Sequence, residues 1–91
     1  MTFPTIHMNG TSAKSLMEDI DHAYHAINAA MDALRRMSPN GRDYYPQPGD
    51  ALGAAMREHQ ARSLKLQSVK DELESLSHYI ADMEHEQTRK R

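Results

Sequence analysis

Ser38-Pro39-Asn40-Gly41-Arg42-Asp43-Tyr44-Tyr45-Pro46-Gln47-Pro48-Gly49-Asp50 separates two runs of apolar residues at helical spacing. Proline disfavours helical geometry in the residue before it, and glycine readily supplies the left-handed residue of a C-terminal cap. Pro39 and Gly41 are therefore predicted to end a first helix, and Asp50, after Pro48 and Gly49, to cap a second. The chain reads as one domain, 1–91: an N-terminal arm over 1–11, a helix over 12–37, a structured turn over 38–50, a helix over 51–87 and a basic tail over 88–91. The fold class is all-α, an antiparallel two-helix hairpin that assembles into an oligomeric helical bundle.

The first helix has clear start signals. Thr11 and Ser12 offer N-caps, and Ser15 with Glu18 matches a capping box one turn later. In a heptad frame Ile20, Ile27 and Leu34 form one seam column, and Leu16, Ala23, Ala30 and Met37 the other, with Met17, Tyr24 and Met31 widening the stripe. Three columns exceed what a two-stranded seam needs, so this helix is expected to touch more than one neighbour. The second helix repeats Leu52, His59, Leu66, Leu73 and Ile80 in one column and Ala55, Arg62, Val69, Leu76 and Met83 in the other. At about 1.5 Å per residue the helices are roughly 39 Å and roughly 57 Å long. With the turn centred near Tyr44, Ile27 is expected near Ala61, Ile20 near Ser68 and Leu16 near Glu72. Ile80 and Met83 then extend past the first helix and need a cover, from the arm (Phe3, Pro4, Ile6, Met8), from another subunit, or from both.

Ninety-one residues bury a modest fraction of their surface unless copies associate, so a homo-oligomer is the expected partner state. Cysteine is absent, which removes disulfides and thiolate metal sites and fits a reducing compartment. No apolar run approaches the roughly 20 residues that span a bilayer, and the first residues lack a basic stretch followed by an apolar one. The expectation is a soluble, cytoplasmic chain without a membrane partner.

Net charge is −2, but its distribution is uneven. From Arg35 to Lys65 six basic residues face three acidic ones, while Asp71 to Glu86 holds six acidic residues and no basic one. A hairpin places the positive segment at its turn end, which favours anions there. The basic count falls short of a nucleic-acid footprint.

His59 and Arg62 interrupt the second helix's apolar columns near that end. One reading is structural: a polar seam residue fixes register or oligomeric state while Arg62 snorkels to the rim. The other makes them a polar pocket whose lip is Arg42, Tyr44 and Tyr45, with Arg57 close by. Arginine offers a planar fork for phosphate and tyrosine a stacking face for a base. Tyr44 and Tyr45 serve equally as a plug for the open end of the hairpin. His22 with His25, and His78 with Asp82 and His85, have helical spacings that bring side chains to one face, yet neither set has a supporting motif, so no metal and no cofactor is assigned. No nucleophile is paired with a base in sequence context and no glycine-rich phosphate loop follows a strand, which argues against an enzyme.

Asn9-Gly10-Thr11-Ser12, the amphipathic helix, Pro39-Asn40-Gly41-Arg42-Asp43-Tyr44-Tyr45-Pro46-Gln47, and Glu58-His59 with Arg62 together resemble a group of small uncharacterised proteins encoded by phages and prophages. The resemblance runs from about Ile6 to Ile80. It implies the host-cell cytoplasm as the place of action. In size and hairpin layout the chain is also similar to phage anti-defence sponge proteins, which bind cyclic nucleotide signals between subunits of a homo-oligomer. Two functions follow. One is a sponge that sequesters an anionic nucleotide, with Arg42, Arg62 and Arg57 on phosphate, Tyr44 or Tyr45 on a base and His59 bonding to either. The other is a helical inhibitor or adaptor that covers a host defence protein and takes no small molecule.

Overall fold

The computed structural model describes residues 1–89, over which the chain is helical: α1 (Ala13–Arg35), a short 3-10 turn (Gly41–Asp43) and α2 (Ala51–Arg89), with no strand among the described residues. α2 thus runs on past the predicted end at 87; Lys90 and Arg91, part of the predicted basic tail, lie outside the described residues. No helix is long and apolar enough to cross a membrane among those residues.

Each helix end has a local cause. Ser12 caps α1 by accepting from the Ser15 amide at 3.1 Å. At the other end the last turn tightens: Arg36, Met37 and Ser38 donate to the carbonyls of Ala33, Leu34 and Arg35, and the Ser38 hydroxyl donates to Arg35 O at 2.8 Å. Gly41 does not supply the left-handed cap that its sequence position predicts. It opens the 3-10 turn instead, which Asn40 caps by accepting from the Arg42 amide at 3.1 Å. The glycine with positive φ is Gly49, at 72°, which reverses the chain just before Asp50 caps α2.

The helices pack antiparallel, and their register differs from the sequence expectation. Ser38 meets His59 at the turn end and Tyr24 meets Glu74 in the middle. Ile20 accordingly shares a cavity wall with Leu73 and Ser77, and not with Ser68. The cause is the turn segment, which continues the α1 limb alongside the first turns of α2, with Gly41 close to Leu52, so the chain reverses near Gly49 and not near Tyr44.

The seam columns are also corrected. On α1 Ile20, Ile27 and Leu34 are half-buried with Met17, Tyr24 and Met31, and so is Leu16 of the second column, while Ala23 and Ala30 of that column, and Met37 past the helix end, are exposed. The larger side chains remove more apolar surface from water, and they take the seam. On α2 the column Leu52, His59, Leu66, Leu73, Ile80 faces inward as expected. Arg62 and Val69 of the second column do not; Ser63, Lys70 and Ser77 are half-buried in their place. Burying an unpaired guanidinium is costly, whereas the Ser63 hydroxyl satisfies itself on His59 O at 3.3 Å.

The arm folds along the end of α2. Phe3 stacks on Tyr79 with centroids 4.5 Å apart, and the Gln87 side chain donates to Ile6 O at 3.2 Å. With the register so shifted, Ile80 and Met83 do not extend past α1 as expected, since its first turns reach Glu84; Ile80, next to the arm contact, is 1% exposed. Even so, the buried apolar residues among those described are Ala13, Ala55 and Ile80 alone. The molecule measures 68 × 20 × 20 Å with a radius of gyration of 19.8 Å. A compact chain of this length would have about 12 Å.

Candidate functional site

The 3-10 turn holds its shape by bonding to itself. Asn40 donates from Nδ2 to Asp43 Oδ2 at 3.0 Å, the amides of Tyr44 and Tyr45 both donate to Gly41 O, and the Gln47 amide donates to Tyr44 O at 3.0 Å. Pro39 and Tyr44 are half-buried; Arg42 is exposed and Tyr45 is 81% exposed. The aromatic pair is therefore split, Tyr44 turned partly inward and Tyr45 outward.

Across from the turn, on the first turns of α2, Arg57 approaches Asp50 Oδ2 at 3.6 Å, so its charge leans on the helix cap. His59 is half-buried, its Nε2 lying 3.4 Å from Ser38 Oγ. Arg57 and His59 share a hollow of about 250 Å3 with Ser38, Pro39, Met56 and Gln60. Of the six residues that sequence assigns to a ligand, these two come together within one chain. Arg42, Tyr44 and Tyr45 stay on the turn outside the hollow, and Arg62, exposed on α2, lies outside it as well.

The Ser38 hydroxyl donates to Arg35 O, and its oxygen lies close enough to His59 Nε2 to tie the segment after α1 to α2. Among the described residues no three His, Asp or Glu side chains converge for a metal ion. His25 of the spacing noted above turns to Asp21 at 3.2 Å.

Sequence reasoning missed a second hollow, midway along the hairpin. It holds about 380 Å3 between Met17, Ile20 and Leu73 below and Asp21, Tyr24, Glu74, Ser77 and His78 around it. The Tyr24 hydroxyl donates to Glu74 Oε1 at 2.8 Å, and Lys70 Nζ lies 5.1 Å from the Tyr24 ring centroid. The hydrogen bond to Glu74, then desolvation, then the negative charges of Glu74 and Asp71 push the Tyr24 phenol above its ordinary value. Tyr24 stood in the column that widens the first helix's stripe, but the register expected from the sequence kept it from Glu74. Comparison with protein-family models, with curated proteins and with solved structures yields no match to this chain.

Proposed function

We propose that the protein is a non-enzymatic helical interaction protein, a hairpin that works as a homo-oligomeric bundle and covers the surface of a partner protein. The observation that supports this reading is the lack of a core within one chain. Its accessible surface is 7144 Å2. A compact monomer of this mass would expose about 5,400 Å2. The excess is larger than the roughly 800 Å2 that each partner buries in a standard interface. Exposed Met56, Leu64 and Val69 lie along α2, and exposed Met37 just past the end of α1. The resemblance to phage-encoded proteins supports a host protein, a defence protein among them, as the partner and the host cytoplasm as the place.

The positive turn end favours a second reading, the sponge for an anionic nucleotide. The hollow beside Arg57 and His59 is smaller than the roughly 300 Å3 at which ligand pockets begin. Arg42, Arg62 and Tyr44 would have to join it from neighbouring subunits. One experiment separates the two: sedimentation equilibrium at micromolar concentration, repeated with cyclic di- and trinucleotides and cyclic ADP-ribose isomers in a parallel thermal-shift panel. Oligomers with a flat nucleotide response are expected. A folded monomer throughout would overturn self-assembly, and nucleotide stabilisation lost in Arg62→Ala or Tyr44→Ala would replace the first reading with the second.

A further inference from the structure

The hairpin has two unlike faces. Residues advance about 100° around each helix, so Tyr24, Asp21, Glu74 and His78, which line one hollow, mark one face. Of the second heptad columns, Ala23 and Ala30 on α1 and Arg62 and Val69 on α2 stay exposed on the opposite face, while Leu16, Ala55, Leu76 and Met83 are buried or half-buried. At the far end the arm lies against this side of α2, through Phe3 on Tyr79. From there to the turn the face is open: Ala23, Ala30 and Met37 are exposed, and Val69 is 43% exposed. Heptad columns that the hairpin leaves outside are what a second pair of helices would cover.

Charge decides how that pair lies. Residues 32–65, at the turn end, carry six basic and four acidic side chains; residues 14–21 and 71–89, at the other end, carry two basic and nine acidic, with Lys90 and Arg91 following outside the described residues. Two hairpins stacked by the open face obey a two-fold axis lying in the contact plane. An axis along the helices puts both turns together and sets the acidic ends side by side. An axis across the helices puts the turns at opposite ends, basic over acidic, with α1 along the partner's α1 and α2 along the partner's α2. Like charges juxtaposed oppose association and complementary potentials favour it.

We infer that the occupant of the open face is a second copy of this chain, stacked antiparallel so that the basic turn end of each hairpin lies over the acidic end of the other. This arrangement rests on the self-association proposed above and adds its face and direction.

The absence of native cysteine allows a direct test by single-cysteine spin labelling of the full chain. In the opposed arrangement, labels on Gln47→Cys in both copies lie on the order of 60 Å apart, and Gln47→Cys mixed with Asp82→Cys gives a pair on the order of 20 Å apart, at about 1.5 Å per helical residue. Val69→Glu is expected to weaken association roughly tenfold or more, and Leu64→Glu, on the outer side of α2, to leave it unchanged. Circular dichroism of each variant controls for folding. Short Gln47–Gln47 distances in a stable dimer, or dissociation by Leu64→Glu and not by Val69→Glu, would overturn the inference while leaving self-assembly intact. A monomer in sedimentation would remove both.

Discussion

Tyr24 is where one side chain joins the two helices by two kinds of contact and meets a neighbour on its own helix by a third. Its hydroxyl donates to Glu74, its ring lies near the Lys70 ammonium, and its edge meets the His25 ring at 6.2 Å. Three ion pairs are more exposed: Asp32 with Arg35, Asp21 with His25 and Asp50 with Arg57 are all mostly in solvent and add little to stability. Tyr24 also gives the fold a sensitivity to alkali. A phenol held above its ordinary value binds its proton more tightly in the folded chain than in the unfolded one. That contribution is fully present below pH 10.0, the ordinary tyrosine value, and is lost as pH rises through the folded value. Tyrosinate absorbance should therefore show one of the four tyrosines ionising late, and Tyr24→Phe should remove that late component. The urea midpoint of the wild type should also fall more steeply than that of Tyr24→Phe across this alkaline range. Superimposable curves for the two proteins would mean that the bond to Glu74 does not form in solution.

At the scale of an element, the start of α2 depends on three neighbouring residues. Gly49 takes the positive φ, Asp50 accepts from the Gly53 amide at 3.2 Å, and Gly53 leaves room for that carboxylate. A Cβ at Gly53 would collide with Asp50 Oδ2. Asp50→Ala should cost about 1 kcal/mol, the usual effect of losing an N-cap. Alanine inside a helix is favoured over glycine by about 1 kcal/mol, so Gly53→Ala should recover that gain in the Asp50→Ala background but little of it in the wild type, where it displaces the cap. A double-mutant cycle by urea unfolding measures the coupling, and additive effects would show that the cap survives the added methyl. The caps were legible in the sequence because Ser12 and Asp50 act within a few residues of themselves. The rotation of α2 was not. Apolar spacing alone leaves Arg62 and Ser63 as rival neighbours for one seam position, and the choice rests on desolvation of a guanidinium and on a bond from Ser63 to His59 O. The candidate site had the same difficulty: the stiffness of Arg42, Tyr44 and Tyr45 could be read from Asn40, Gly41 and the prolines, but the direction of each side chain depends on where the segment docks along α2.

The whole molecule is a rod 68 Å long whose helices share a thin seam, and its stability should depend on what lies beside it. Burial of apolar surface is the main favourable term in folding, and each chain alone leaves Val69, Met37 and the alanine columns in water. If copies cover one another, unfolding includes dissociation, and the thermal midpoint rises with protein concentration. Salt then distinguishes the directions of stacking. Opposed hairpins set the basic segment 32–65 over acidic residues 71–86 of the neighbour, so shortening the screening length from about 10 Å at 0.1 M to about 3 Å at 1 M removes attraction. Hairpins with their turns together would instead be relieved of repulsion by the same salt. Sodium chloride is the salt for this test, since sulfate and phosphate strengthen apolar burial on their own account. Differential scanning calorimetry over a hundredfold range of protein concentration, in low and high sodium chloride, should give midpoints that climb with concentration and climb less at high salt. A concentration effect that grows with salt would reverse the stacking direction, and a midpoint independent of concentration would mean that the thin seam of one hairpin is enough to hold the fold.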